Sequence, residues 1–353
     1  MGERLAILTG SAGAVHDAVA AAVRAAGLEV HHVPLLGPGA PRPGAEVRRA
    51  ELVIHLGLRT PRELDEARRA ELEAGAAATA AGLARDLGAR RLIHVSSTAV
   101  YGRPRNLPCR EGELKAPRTT FERIRWRAEQ ASWGAFRRGT PLTVLRPALL
   151  YGPTLRGGPA RTLALVALFN QGRRRVPILR RGPVAHLLHL DDLARAVVHV
   201  ALHPDDRAVQ GRAFNVADDA PMPLGEHLEA ALTALGYETG RVIPTLPRLI
   251  ASLLWLVRHV PDRTLLATIN RRFARRWHRL ADQTGVSGAL SPRVDREALH
   301  WMSADHYYDT QRLASIGWTP QHPVSSAAFP ETVRALVAAQ HLPGSAGRPI
   351  ATW

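Results

Sequence analysis

Five short apolar runs, Leu5 to Leu8, Glu29 to Val33, Leu52 to Leu56, Leu92 to Val95 and Leu142 to Leu145, alternate with alanine-rich segments of helical composition. A strand buried on both faces is apolar along its length, whereas a half-exposed one alternates. Apolar runs spaced by helices therefore predict an α/β fold, a doubly wound parallel sheet covered on both sides. Between the third and fourth runs, residues 62–87 are dominated by Ala, Glu, Leu and Arg, and Gly88 stands where the helix stop belongs. Ligands of such sheets gather at the carboxyl ends of the strands.

The first of those ends carries Thr9-Gly10-Ser11-Ala12-Gly13-Ala14-Val15-His16, between a strand and a helix. Glycines there permit a tight turn and let backbone amides and the positive helix end approach a diphosphate. Gly10 and Gly13 fill the first two places of a three-glycine pattern; His16 fills the third, which ordinarily takes a small residue for helix–sheet packing. An imidazole there either splays the helix or points toward the phosphates, and both alternatives stay open. After the second run the chain reads Val30-His31-His32-Val33-Pro34-Leu35-Leu36. It offers neither the acidic residue that binds ribose hydroxyls nor the arginine that accepts a 2′-phosphate.

With 353 residues and 46% apolar side chains, the chain has material for two lobes with packed cores. A net charge of +16 would suit nucleic acid, an anionic membrane or acidic substrates. Lys115 is the only lysine, however, and the arginines are scattered, which reads as codon usage; without interleaved aromatics no nucleic-acid partner is expected. A single cysteine, Cys109, excludes an intrachain disulfide and a cysteine zinc cluster, and the dispersed histidines give no metal site. The direct entry into a strand at Leu5 leaves no room for a secretory leader, and the longest strongly apolar run, Leu249 to Val257, is too short to span a bilayer. A cytoplasmic location is expected.

Several motifs follow in a set order: Leu8-Thr9-Gly10-Ser11-Ala12-Gly13, Leu52-Val53-Ile54-His55-Leu56, Val95-Ser96-Ser97-Thr98-Ala99-Val100-Tyr101-Gly102 and Leu145-Arg146-Pro147-Ala148-Leu149-Leu150-Tyr151-Gly152-Pro153. His189-Leu190-Asp191-Asp192-Leu193-Ala194, Phe214-Asn215-Val216 and Leu313-Ala314-Ser315-Ile316-Gly317-Trp318-Thr319-Pro320 come after them. Together they resemble an extended short-chain dehydrogenase/reductase of the NAD-dependent epimerase/dehydratase type, with a tail similar to the 3-beta-hydroxysteroid dehydrogenase branch. The resemblance implies a Rossmann dinucleotide-binding domain over 1–152, completed by about 185–217, and a smaller, mostly helical substrate lobe from 153–184 and 218–343, followed by a tail, 344–353. It also implies NAD or NADP as cofactor, held by Gly10, Ser11, Ala12, Gly13, His16, Leu56, Gly57, Arg125, Pro147 and Leu150, and pairing into a homodimer.

In that family a tyrosine hydroxyl moves the proton, and a lysine four residues later, on the same helix face, holds the nicotinamide ribose and lowers the tyrosine pKa. The resemblance places Phe121 and Arg125 at these positions, and Ser97 at the substrate-orienting hydroxyl. Phe121 has no titratable atom. The motif is not displaced, because residues four past Tyr101, Tyr151, Tyr237, Tyr307 and Tyr308 are Arg105, Leu155, Arg241, Gln311 and Arg312. A further departure is Glu73, where relatives often carry asparagine.

Three readings follow from these departures. One is an atypical oxidoreductase or epimerase acting on a small, hydrophobic carbonyl or hydroxyl substrate, its proton supplied by Tyr101, His94, Glu111 or a water held by Ser97. Another is a nucleotide-binding pseudoenzyme acting as scaffold or sensor; the third is a redox-neutral cyclase or isomerase. Farther along, Ile269, Phe273, Trp277 and Leu280 fall at helical spacing while Arg271, Arg272, Arg275, Arg276 and Arg279 fill the other arc. This segment is either a lid helix, with arginines facing solvent or an anionic substrate, or, across 249–280, a peripheral contact with an anionic membrane. Trp301, Tyr307 and Tyr308 are expected to pack the small lobe, and Asp191 and Asp192 to cap the helix they begin.

Overall fold

A computed structural model describes residues 4–34, 47–61, 63–170, 175–179, 182–243, 266–287, 290, 292–294 and 296–344. The chain divides into two compact units, the first from Met1–Ala148, Leu190–Ala217 and Tyr308–Gln321, the second from Leu149–His189, Asp218–Tyr307 and His322–Trp353.

In the first unit β1 (Leu5–Thr9), α1 (Ala14–Ala25), β2 (Glu29–Val33), β3 (Leu52–His55), α2 (Glu66–Asp86), β4 (Arg91–Val95), α3 (Thr120–Phe136) and β5 (Leu142–Pro147) follow in order. The strands are parallel and run β5-β4-β3-β1-β2 across the sheet, with the strand Arg212–Val216 added beside β5. Every residue of β3, β4 and β5 is buried, the polar His55, Arg91, His94, Thr143 and Arg146 included, while edge strand β2 is partly exposed. Strand order reverses between β1 and β3, which makes their carboxyl ends the switch point at which such sheets bind ligands.

Capping decides where the helices begin. α2 starts at Glu66, four residues later than composition suggests, because the Asp65 carboxylate accepts the Arg68 N–H at 2.8 Å. Its buried face is mostly alanine, Ala70, Ala76, Ala77, Ala80, Ala81 and Ala84, with Glu73 and Leu83 among them, and α3 packs against this helix. Thr119 and Glu122 form a capping box at the start of α3. The helix Leu190–Ala201 has Asp191 and Asp192 in its first turn, and Asp192 also accepts the Gln321 N–H at 2.6 Å.

Tyr308 differs from the sequence expectation: it belongs to the first unit. Buried, it stacks on Tyr101 at 6.0 Å between ring centroids, and the Asn215 amide beside it bridges the carbonyls of Cys109 and Asp309. These contacts tie 308–321 to the sheet.

Among the described residues the second unit holds three short strand pairs, Leu149–Tyr151 with Leu187–His189, Arg175–Leu179 with Glu238–Ile243, and Val184–Ala185 with Met222–Pro223. Around them lie the helices Pro159–Phe169, Leu224–Ala234, Ala267–Thr284 and Ser325–Ala338. Leu163, Leu168, Trp277, Leu280, Phe329 and Leu336 contribute to its core, with Trp301 packed against it. The apolar run Leu249 to Val257 and the tail from Ser345 lie outside the described residues.

Candidate functional site

The chain leaves β1 through Gly10, whose φ of +121° suits only glycine; a Cβ there would stand 2.5 Å from the Gly57 carbonyl oxygen. The loop after β3 closes against this turn. Leu56 N–H donates to the Thr9 carbonyl at 2.9 Å, and Ser11 N–H donates to the Gly57 carbonyl at 3.0 Å. Gly13 begins α1 without any side-chain cap, so the positive helix end is not closed by its own chain.

Arg59 escaped the sequence reading. Its N–H donates to Ser11 Oγ at 2.8 Å and its Nη2 to the Ala12 carbonyl at 2.7 Å, which lays the guanidinium over Gly13 where a Cβ would overlap it. The available signal was a cation two places past Gly57, on the loop that faces the glycine turn. Arg125 does the same from α3, its Nη1 lying over Gly57. Two guanidinium groups thus rest on the backbone of the two loops that flank the switch point.

His16 lies in the first turn of α1, against His32. α1 forms over its full span, and the His16 ring turns onto β2, 4.2 Å between centroids from His32, with Nδ1 3.0 Å from Asp17 Oδ1. It is His32 that reaches the glycine turn, its Nε2 lying 3.0 Å from the Gly10 carbonyl oxygen.

Glu73 and Arg125, two separate departures in the sequence, are partners. Arg125 Nη1 lies 3.9 Å from Glu73 Oε1, while Glu73 Oε2 accepts the Leu58 N–H at 3.1 Å. A buried carboxylate therefore holds the charge at position 125. Phe121, one turn earlier on α3, is half-buried with its ring centroid 5.4 Å from Arg125 Cζ. Ser97 is half-buried too, and its hydroxyl accepts the Ala99 N–H at 3.1 Å as the cap of the turn Thr98–Tyr101. Buried Pro147 accepts the Thr98 hydroxyl through its carbonyl at 3.2 Å. Leu150 lies in the second unit, paired with Leu188.

The side chains named as substitute proton donors are locked in the interior. Tyr101 is fully buried; its hydroxyl donates to Asn215 Oδ1 and accepts from Arg146 Nη1, each at 2.7 Å, and burial pushes its pKa well up. Glu111, also buried, accepts the Asn215 N–H at 3.0 Å. His94 sits on β4 with Nδ1 2.8 Å from Ser132 Oγ; burial, then the nearby Arg125 and Arg146 charges, bring its pKa down to about 3. Beside it on β3, His55 pairs with the Thr9 hydroxyl at 2.9 Å and is likewise held neutral by burial.

These histidines give a pH dependence of stability. The unfolded chain takes up protons near the ordinary imidazole pKa of 6.5, whereas folded His94 refuses them until about 3. Stability is therefore complete above about 6.5 and falls as pH drops through that window. Urea midpoints measured across it should decline, and less steeply for His94→Gln; equal slopes would contradict this assignment.

Residues 6–217 match the sequence profile of the NAD dependent epimerase/dehydratase family. The chain belongs to that family. No curated protein matches its sequence. Among solved structures it is similar to a UDP-galactose 4-epimerase, 17% identical with a TM-score of 0.64, over 95% of this chain and 99% of that one. RMD from Pseudomonas aeruginosa complexed with NADPH is 18% identical with a TM-score of 0.59, over 95% and 99%. WbmH of Bordetella bronchiseptica in complex with NAD+ is 15% identical with a TM-score of 0.59, over 96% and 98%. At these identities the likeness is one of fold.

Proposed function

We propose that this protein binds a nicotinamide dinucleotide, NAD or NADP, on the turn Gly10–Gly13, and that it works as a dinucleotide-responsive scaffold or sensor without a side-chain proton relay. What supports binding is the cradle itself: a glycine turn no Cβ could enter, an uncapped helix end, and Arg59 held by one carbonyl bond that a diphosphate would outcompete through charge-assisted pairing. When bound, the nicotinamide supplies a hydride donor or acceptor. The observation that carries the rest is the Glu73–Arg125 pair beside a hydroxyl-free Phe121, with Tyr101, His94 and Glu111 all sealed in the interior.

The partial exposure of Ser97 favours a second reading, slow redox turnover of a small hydrophobic carbonyl or hydroxyl compound with the proton taken from a water on that hydroxyl. General acid catalysis is worth about two to four powers of ten, so its loss slows such chemistry without forbidding it.

Calorimetry with NAD, NADH, NADP and NADPH, followed by turnover assays on a carbonyl panel, tests both. Binding of at least one dinucleotide with no turnover is expected of the scaffold, and binding with slow turnover of the second reading. Gly10→Ala should lose that binding by about tenfold or more, since a positive φ and a backbone clash oppose it. Absence of binding to any of the four would sink both.

A further inference from the structure

The helix Ala267–Thr284 has two faces with separate duties. Trp277, Leu280 and Ala281 are buried in the core of the second unit, which fixes the helix in place. Arg271, Arg272, Arg275, Arg276 and Arg279 are all exposed. At 100° per residue they fall within an arc of about 140°, centred roughly opposite Trp277 and Leu280. Asp282, exposed at the C-terminal end of the same arc, is the one acidic residue of this helix against the five arginines, and among the described residues no carboxylate pairs with any of them.

A second observation lies at the flank of this face. Phe169, the last residue of the helix Pro159–Phe169, is 49% exposed, and its ring meets Phe273 edge-on at 5.2 Å. An exposed phenyl ring beside a dense guanidinium face is the composition of an interfacial membrane contact, in which phosphates meet the cations and the ring enters the acyl boundary. Guanidinium groups suit phosphodiesters because they bind two oxygens at once.

We propose that this face docks on an anionic phospholipid bilayer, with Arg271, Arg272, Arg275, Arg276 and Arg279 on the headgroups and Phe169 inserted beside them. The apolar stripe of the helix takes no part, because the core already uses it. Nucleic acid fits less well: the aromatic side chains that interleave with the arginines, Phe273 and Trp277, are turned to the core and do not offer a platform for stacking bases.

Co-sedimentation of the full chain with vesicles tests the proposal. At physiological ionic strength the protein should pellet with phosphatidylcholine/phosphatidylglycerol vesicles and stay in solution with phosphatidylcholine alone. Each arginine near the surface contributes about fivefold, so the quadruple variant R272Q/R275Q/R276Q/R279Q should lose at least about a hundredfold in partitioning. The corresponding four lysine substitutions should retain most of it. Phe169→Ser should weaken binding several-fold and make the remainder more salt-sensitive, and it decides the matter by itself if the quadruple variant melts early. The proposal is overturned if anionic vesicles leave the protein in the supernatant, if the glutamine variant binds as the parent does, or if a duplex oligonucleotide binds through the same arginines while vesicles do not.

Discussion

Glu73→Asn, Phe121→Tyr and Arg125→Lys introduced together should bring carbonyl-reducing turnover about two to four powers of ten above the parent's rate, or above the detection limit where the parent shows none, the usual worth of a positioned general acid. Phe121→Tyr with Arg125→Lys alone should gain less than about a tenth of that. The difference lies in Glu73. With its carboxylate already close to Arg125 Nη1 and fixed by the Leu58 N–H, it would draw a lysine at 125 into the same pairing and away from the new hydroxyl. Removing that carboxylate releases the lysine to lower the tyrosine pKa by its charge. The measurement is initial-rate kinetics of the parent, double and triple variants at matched dinucleotide occupancy. A double variant as fast as the triple would show that Glu73 does not control the charge at 125.

Arg146→Met should destabilise the first unit by about 3–5 kcal/mol, the cost typical of breaking a buried ion pair from one side. Arg146 and Glu129 are both buried, joined at 2.6 Å, and their remaining hydrogen-bonding capacity is taken up by Ser96, Trp133, Tyr101 and the Glu111 carbonyl. Methionine leaves the Glu129 carboxylate in the interior with the Ser96 and Trp133 donors and no hydrogen-bonded charge partner, only the charge of Lys115 nearby. Replacing both, as Arg146→Met with Glu129→Leu, should recover part of the loss because no unpaired charge remains. Denaturant titration of the three variants measures it; a loss below about 1 kcal/mol for Arg146→Met would mean that water reaches the carboxylate.

The network around Arg146 also explains why the sequence suggested proton donors that the fold withholds. Tyr101, His94 and Glu111 have the right functional groups and sit in or near family motifs. A side chain's chemistry is fixed by its type, but whether it meets solvent depends on elements far away in the chain. Asn215 and Arg146 close over Tyr101, and Ser132 over His94. The same holds for His16, whose direction was set by its contact with His32 across from α1.

Local pattern by itself determined the parallel sheet, the glycine turn after β1, the basic helix and the missing hydroxyl at position 121, because apolar periodicity, glycine placement and residue identity need no distant partner to be read. Tertiary structure decided that Arg59 lies on the glycine turn, that Glu73 claims Arg125, and that the apolar arc of the basic helix is spent on the core while its arginines face outward. The first joins residues 47 positions apart, and the others likewise join separate segments of the chain. Such pairings arise only when strand order and helix packing bring separate segments together, and neither hydropathy nor spacing along one segment records which partner a charge will find.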